Sequence, residues 1–312
     1  MGRRRNFGRA LSGVIVIDKP SGMTSNDVVQ KAKRLFFANK AGHTGALDPL
    51  ATGVLPVCFG EATKFSQYLL DADKVYESVF CFGAETDTAD SDGKVVSEVD
   101  ASHITLDTLT PLLDNYRGDI SQIPPMYSAL KKDGQPLYKL ARQGIEVERE
   151  PRNVTVYVLE LLGFSAGARA EARVRVSCSK GTYIRSIASD LGRDLGVGGH
   201  VKSLRRIKAG AYTLADAHSL DELESRRGEQ QAETLDELLF SVDSPVEALS
   251  QLTLSEDDSV NFCYGQAVSI SDGDCAVELG QSVRVFLVTG AFLGVGEIIE
   301  DAKVKPKRLV VN

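Results

Sequence analysis

Residues 41–64, AGHTGALDPLATGVLPVCFGEATK, constrain this chain more than any other stretch. Asp48 stands ahead of Pro49, and a residue before proline is pushed to extended geometry, so no helix runs through the pair. Gly42 and Gly45 permit positive φ or close backbone approach just before the acid. His43 and Thr44 add donors and acceptors beside it. Residues 53–59 then form an apolar run with Val54, Leu55, Val57 and Cys58, the pattern of a buried strand. The sequence thus predicts a carboxylate on a rigid loop anchored at one end by a core strand. An isolated Asp-Pro pair is an ordinary turn dipeptide, so a functional reading needs the rest of the chain.

Residues 11–17 read as a short buried strand that ends in the turn Asp18-Lys19-Pro20-Ser21-Gly22. Residues 24–27 can cap a helix reaching about residue 37, with Val28, Val29, Ala32 and Leu35 on one face. Residues 61–70 and 105–116 read as helices, and 75–83 alternate as a half-buried strand with Tyr76 at its start. TDTADSDG at 86–93 lacks the acid spacing of a calcium loop. Residues 121–152 mix Pro, Gly, Tyr, Lys and Arg, which suits a loop that closes on a partner. Residues 154–162 and 172–179 alternate as strands, and the second runs into SKGTYIRS and a helix through residue 195. Residues 196–200 are glycine-rich but spell no GxGxxG, which argues against a dinucleotide site. Residues 221–233 are polar and read as a linker or exposed helix end, and 245–312 read as a small β-rich module.

The chain has no apolar run of about 18 residues, so no membrane span is expected. Its basic N-terminus lacks a hydrophobic signal core, and Asn6 breaks the myristoylation pattern that Met1-Gly2 begins. Cys58, Cys81, Cys178, Cys263 and Cys275 form no CxxC pair, which points to reduced thiols and a cytoplasmic protein. The four histidines join no zinc-like spacing, so no metal is expected. A net charge of −7 looks wrong for a nucleic-acid binder. Its distribution does not: residues 1–40 carry nine bases against two acids, and 201–210 carry Lys202, Arg205, Arg206 and Lys208 with no acid.

GHTGxLDPxATGVL followed by GxATK resembles the signature loop of the TruB-type tRNA pseudouridine synthases. DKPxGxTS at 18–25, TDTxDxxG at 86–93, SKGTYIRS at 179–186 and VKSLRR at 201–206 resemble further motifs of that family. The resemblance implies an α+β pseudouridine synthase fold over residues 1–240, a mixed and mainly antiparallel sheet flanked by helices, with an RNA-clasping insertion at about 121–152. GVGEI and KPKRLVV imply a PUA-like RNA-binding module at 241–312. The family pattern makes Asp48 the catalytic nucleophile and Arg185 its partner, with Asp90 helping to hold that arginine. It places Tyr76 against the target uracil, Tyr183 in the site as a packing and proton-handling group, and Leu204 over the base. His43 would contact the substrate or wedge into the space the base leaves, Lys19 would shape the floor, and Lys64 would contact RNA. It further implies a monomer acting on the tRNA T-stem-loop at position 55, with no cofactor.

Taken singly, these residues keep ordinary readings: packing for Tyr76 and Leu204, a hairpin acid for Asp90, surface bases for Lys19 and Arg185. An aspartate hydrolase would need a second acid or base near Asp48, and none is legible. A non-catalytic RNA binder explains the basic patches but not an aspartate on a glycine-built loop. Attack by Asp48 at C1′, attack at C6, and elimination across C1′–C2′ with either Tyr76 or Asp48 as the catalytic base for the C2′ proton all remain open.

Overall fold

The computed structural model describes residues 8–229, 231–270 and 278–310. Met1, Gly2, Asn6, Cys275 and Val311, and Arg3, Arg4 and Arg5 among the bases of residues 1–40, entered the sequence readings above and lie outside the described residues.

The first strand, β1 (Gly13–Lys19), is buried almost throughout. The helix α1 (Ser25–Leu35) follows, and its start is fixed by a capping box: Thr24 Oγ1 accepts from the Asp27 N–H, and Asp27 accepts from the Thr24 N–H. Its inner face buries Val28, Val29, Ala32 and Leu35, as their spacing predicts. Next come β2 (Ala41–His43) and β3 (Thr52–Phe59), which flank the Asp48 loop. Residues expected to form one helix instead make a 3₁₀ turn (Gly60–Phe65) and the short α2 (Ser66–Asp71). There the hydroxyls of Thr63 and Ser66 bond the carbonyls of Gly60 and Thr63, competing with a regular helical ladder.

The chain continues through β4 (Lys74–Phe82), the hairpin β5 (Ala84–Thr86) and β6 (Val95–Glu98), α3 (Leu106–Asp114) and β7 (Gly118–Gln122). The insertion holds only β8 (Lys131–Lys132), β9 (Gln135–Pro136) and α4 (Leu137–Ala141). Then follow β10 (Arg152–Ser165), β11 (Glu171–Cys178), α5 (Ile184–Asp194), β12 (Gly199–Ala209), β13 (Tyr212–Thr213) and β14 (His218–Ser219). The polar stretch read as a linker or exposed helix end begins with α6 (Leu220–Arg227), capped by Ser219 Oγ and anchored by buried Leu220 and Leu223. Two apolar side chains suffice to dock a helix whose composition is otherwise charged.

These strands make one ten-stranded sheet in the order β14-β1-β3-β12-β4-β11-β10-β7, with β2 on β3 and β13 on β12. Only β1/β14 and β3/β12 run parallel. A second sheet, in the order β15-β17-β18-β19-β16, is built from β15 (Gln251–Leu254), β16 (Val268–Ser269), β17 (Ser282–Leu287), β18 (Phe292–Ile299) and β19 (Lys303–Leu309). With α7 (Glu256–Cys263) it has its own core around Phe262, Val283 and Val285. The two modules meet where Phe65 packs on Phe292, ring centroids 5.3 Å apart, beside buried Val246 and Val295. Among the described residues no helix is long and apolar enough to cross a membrane.

Candidate active site

The Asp48 loop is held from below by the end of β1 and the segment that follows it. Lys19 is fully buried, and its Nζ donates to the carbonyls of Pro20 (2.8 Å), Pro49 (3.1 Å) and Ala51 (2.6 Å). Ser25 Oγ accepts from the Leu47 N–H at 2.7 Å and donates to the Leu47 carbonyl at 3.0 Å. The Gly22 N–H donates to the Pro49 carbonyl at 2.8 Å. DKPxGxTS and GHTGxLDP, separate in sequence, therefore form one unit: the first satisfies the backbone of the second. Gly53 is required at the loop's exit. It has φ +102°, and a Cβ there would stand 2.2 Å from the Arg206 carbonyl oxygen.

Arg185 lies in the first turn of α5 with 4% of its side chain exposed. Its Nε is 2.9 Å from Asp48 Oδ2, and its Nη1 is 3.4 Å from Asp90 Oδ2. Nη1 also donates to the Thr88 carbonyl and Nη2 to the Tyr127 carbonyl, both at 2.7 Å. Asp90 is itself fixed, accepting from Thr88 Oγ1 at 2.6 Å and from the Asp92 N–H at 3.1 Å. Both terminal nitrogens of the buried guanidinium are hydrogen-bonded, while its Nε meets Asp48 as an ion pair without hydrogen-bond geometry. One arginine thus gathers the Asp48 loop, the TDTxD loop and the insertion, which contributes Tyr127.

Asp48 faces a cavity of about 290 Å³ lined by Tyr76, Tyr183, Arg185 and Leu204. Burial raises the pKa of Asp48 above the usual carboxylate value; Arg185 opposes this, Asp90 adds to it, and Lys19 opposes it. Burial also lowers Lys19 to about 8 against the pull of Asp48. The phenols of Tyr76 and Tyr183 are both raised by burial, so they stand neutral at pH 7.

The expected residues therefore sort by position. Asp48, Tyr76, Tyr183, Arg185 and Leu204 line one cavity. Asp90 and Lys19 stand behind it as supports. His43 lies outside the lining on β2; its Nδ1 is buried without a hydrogen-bond partner, and burial keeps the ring neutral. Lys64 is at the seam between modules, where its Nζ pairs with Glu61 at 2.6 Å and donates to the Leu309 carbonyl at 2.9 Å.

Four residues escaped the sequence reading. Lys74, Ser128 and Arg206 also line the cavity. Gln122 bonds both backbone groups of Tyr183, donating from Nε2 to its carbonyl (3.2 Å) and accepting its N–H (3.0 Å). A signal existed for two of them. Strand side chains alternate, so Lys74 shares a face with Tyr76, and Arg206 shares one with Leu204. Arg206 and Tyr76 are also direct cross-strand partners.

The model of the TruB family pseudouridylate synthase N-terminal domain matches residues 33–184. That of the tRNA pseudouridylate synthase B C-terminal domain matches 185–247, and that of the pseudouridine synthase II TruB C-terminal domain matches 250–310. The tRNA pseudouridine synthase B of Saccharophagus degradans is 60% identical over 310 residues, covering 99% of each chain. That of Stutzerimonas stutzeri is 52% identical over the same coverage. Among solved structures, a Cbf5-Nop10-Gar1 complex superposes with a TM-score of 0.69 at 26% identity, covering 96% of this chain and 84% of that one. The fold also matches an H/ACA RNP bound to a substrate RNA containing 2′-deoxyuridine, with a TM-score of 0.71 at 22% identity over 100% of this chain and 92% of that one. The motifs around Asp48 and Arg185, the mixed sheet that brings them together and the full-length relatives agree, and the chain belongs to the TruB family of pseudouridylate synthases.

Proposed function

We propose that this enzyme converts uridine to pseudouridine at position 55 in the tRNA T-loop, with Asp48 as the nucleophile. The observation that carries this is the ion pair of Asp48 with Arg185 on the wall of an aromatic cavity. Full-length relatives named tRNA pseudouridine synthase B support tRNA as the substrate. The isomerisation breaks the N1–C1′ bond, turns the base and joins C1′ to C5. It needs neither a redox partner nor phosphate transfer. The base must first leave the RNA fold. Tyr76, Tyr183 and Leu204 then form its wall, and the site must hold the freed ring until it rejoins.

Arg185 keeps Asp48 ionised against the cost of burial and orients its oxygens. An ionised Asp48 can attack C1′, add at C6 or take the C2′ proton in an elimination. Tyr76 is held as a neutral phenol, so in the elimination route Asp48 is the better base. His43, with its unpartnered Nδ1, suits contact with the RNA around the flipped nucleotide. The exposed bases of the insertion, Lys131, Lys132, Lys139 and Arg142, suit a clasp on the RNA backbone. We assign residues 1–240 to catalysis and 241–312 to a PUA-like RNA-binding module.

Single-turnover modification of an unmodified tRNA transcript, read as carbodiimide-dependent primer-extension stops, tests this. The wild type should give one stop in the T-loop. Asp48→Asn should give none while still binding tRNA. Binding without any pseudouridine in the wild type would identify an RNA-binding protein on an enzyme fold. Full activity in Asp48→Asn would remove Asp48 from the chemistry.

A further inference from the structure

Arg206 has the largest side chain among the fully buried residues, with 1% exposure, yet no carboxylate lies within ion-pair distance of it among the described residues. Its Nε donates to the Val54 carbonyl at 2.7 Å and its Nη2 to the Gly45 carbonyl at 3.2 Å. Tyr76, its cross-strand partner, meets it through the phenol. Arg206 also lines the cavity. The other cations there are committed: Arg185 pairs with Asp48 and Asp90, and Lys74 Nζ donates to the carbonyls of Leu69, Leu70 and Ala72. A buried charge without a counter-charge is costly to a fold. In the resting protein two carbonyls and the Tyr76 phenol hold it but no negative charge does, so it is free to take up one that forms in the cavity during the reaction.

We propose that Arg206 stabilises the negative charge on the uracil ring as it detaches. This rests on the isomerase reading above. When Asp48 attacks C1′, the C1′–O bond forms and the C1′–N1 bond breaks, with its electron pair passing to N1. The carboxylate charge is consumed in the ester and reappears on the uracil, spread over N1 and the carbonyl oxygens. In the elimination route the pair likewise goes to N1, and Asp48 takes up the C2′ proton. Either way the new anion forms over the face that carries Tyr76 and Arg206, and a preorganised cation there acts without reorganising.

The test separates charge from hydrogen bonding. Arg206→Gln keeps a donor without charge, and Arg206→Lys keeps charge without the fork. Single-turnover conversion of a T-stem-loop RNA should fall about 100-fold in Arg206→Gln, the loss typical of one preorganised donor, and about tenfold in Arg206→Lys. The same variants are then run on RNA carrying 5-fluorouridine at the target, read as loss of that nucleoside. Fluorine makes the departing ring less basic, so the deficit of each variant should shrink at least about threefold. A structural role would slow both substrates alike. Equal deficits on the two substrates, or Arg206→Lys as slow as a folded Arg206→Gln, overturn the proposal. If Arg206→Gln does not fold by circular dichroism, the substrate ratio of Arg206→Lys decides by itself. An inactive wild type would instead sink the isomerase reading.

Discussion

Asp48 is pulled in two directions. Burial raises its pKa and Arg185 draws it back, which has a pH consequence with a definite sign. The rate should rise with pH as Asp48 ionises, along a limb above the ordinary carboxylate value of 3.8. Arg185→Met removes the main opposing influence, so the limb should move to higher pH as well as lower in amplitude. A single-turnover pH–rate profile checks this, and a limb that stays in place means another group titrates. Stability runs the other way. The folded state holds the Asp48 proton more tightly than the unfolded chain, so ionising Asp48 costs stability as pH rises through that window. This cost falls at a site whose proposed chemistry needs a charged carboxylate. At this scale the sequence was most informative about loops. Asp48, Arg185 and Asp90 sit in motif-rich segments whose Gly, Pro and Asp leave a mark in one dimension. Arg206 left a weaker one: alternation puts it on the Leu204 face of its strand, but an arginine there reads as a surface base until the strand's two neighbours are known.

Elements were legible where local chemistry decides them. The capping box of α1 and its apolar stripe predict the helix almost to the residue, and alternation predicts β4, β10 and β11. The helix α6 was only one of two readings of its polar stretch, because just Leu220 and Leu223 dock it. The packing of α5 on β12 is decided by a glycine that no periodicity reveals. A Cβ at Gly192 would stand 2.3 Å from Gly198 C and Gly199 N, so this helix lies directly on backbone. Gly192→Ala must lift α5, and overpacking of this kind costs about 2 kcal/mol. Because Arg185 rides on α5, the shift should also loosen its 2.9 Å contact with Asp48. We expect a lower Tm together with a fall in kcat of about tenfold or more, while tRNA Kd changes little. An unchanged kcat in a destabilised variant would show that the site is insulated from the helix that carries it.

At the scale of the molecule, composition gave two modules and an acidic sum, but not which charges are available to a partner. The structure separates them. Lys31 is paired with Glu224, Lys180 with Asp71, Lys202 with Glu171 and Lys307 with Glu297. In the insertion Lys131, Lys132, Lys139 and Arg142 are exposed, and none makes an ion pair with a carboxylate among the described residues. Lys64, which the family pattern suggested for RNA, bridges the two modules. Its position in sequence could not show this, since Leu309 lies 245 residues away. If RNA binding is driven by local patches on a protein of net charge −7, affinity must fall steeply with salt, by counterion release at each neutralised phosphate. The insertion should supply most of that slope. Lys131→Ala with Lys132→Ala is expected to reduce the slope of log Kd against log salt by about 1.5. Lys180→Ala with Lys202→Ala removes two bases already neutralised within the protein and should leave the slope nearly unchanged. Filter binding of a tRNA transcript between low and moderate salt distinguishes these outcomes. Equal effects from both pairs would mean that the surface ion pairs open on binding and that the whole face takes part. Flat binding of the wild type would remove electrostatics from the recognition altogether.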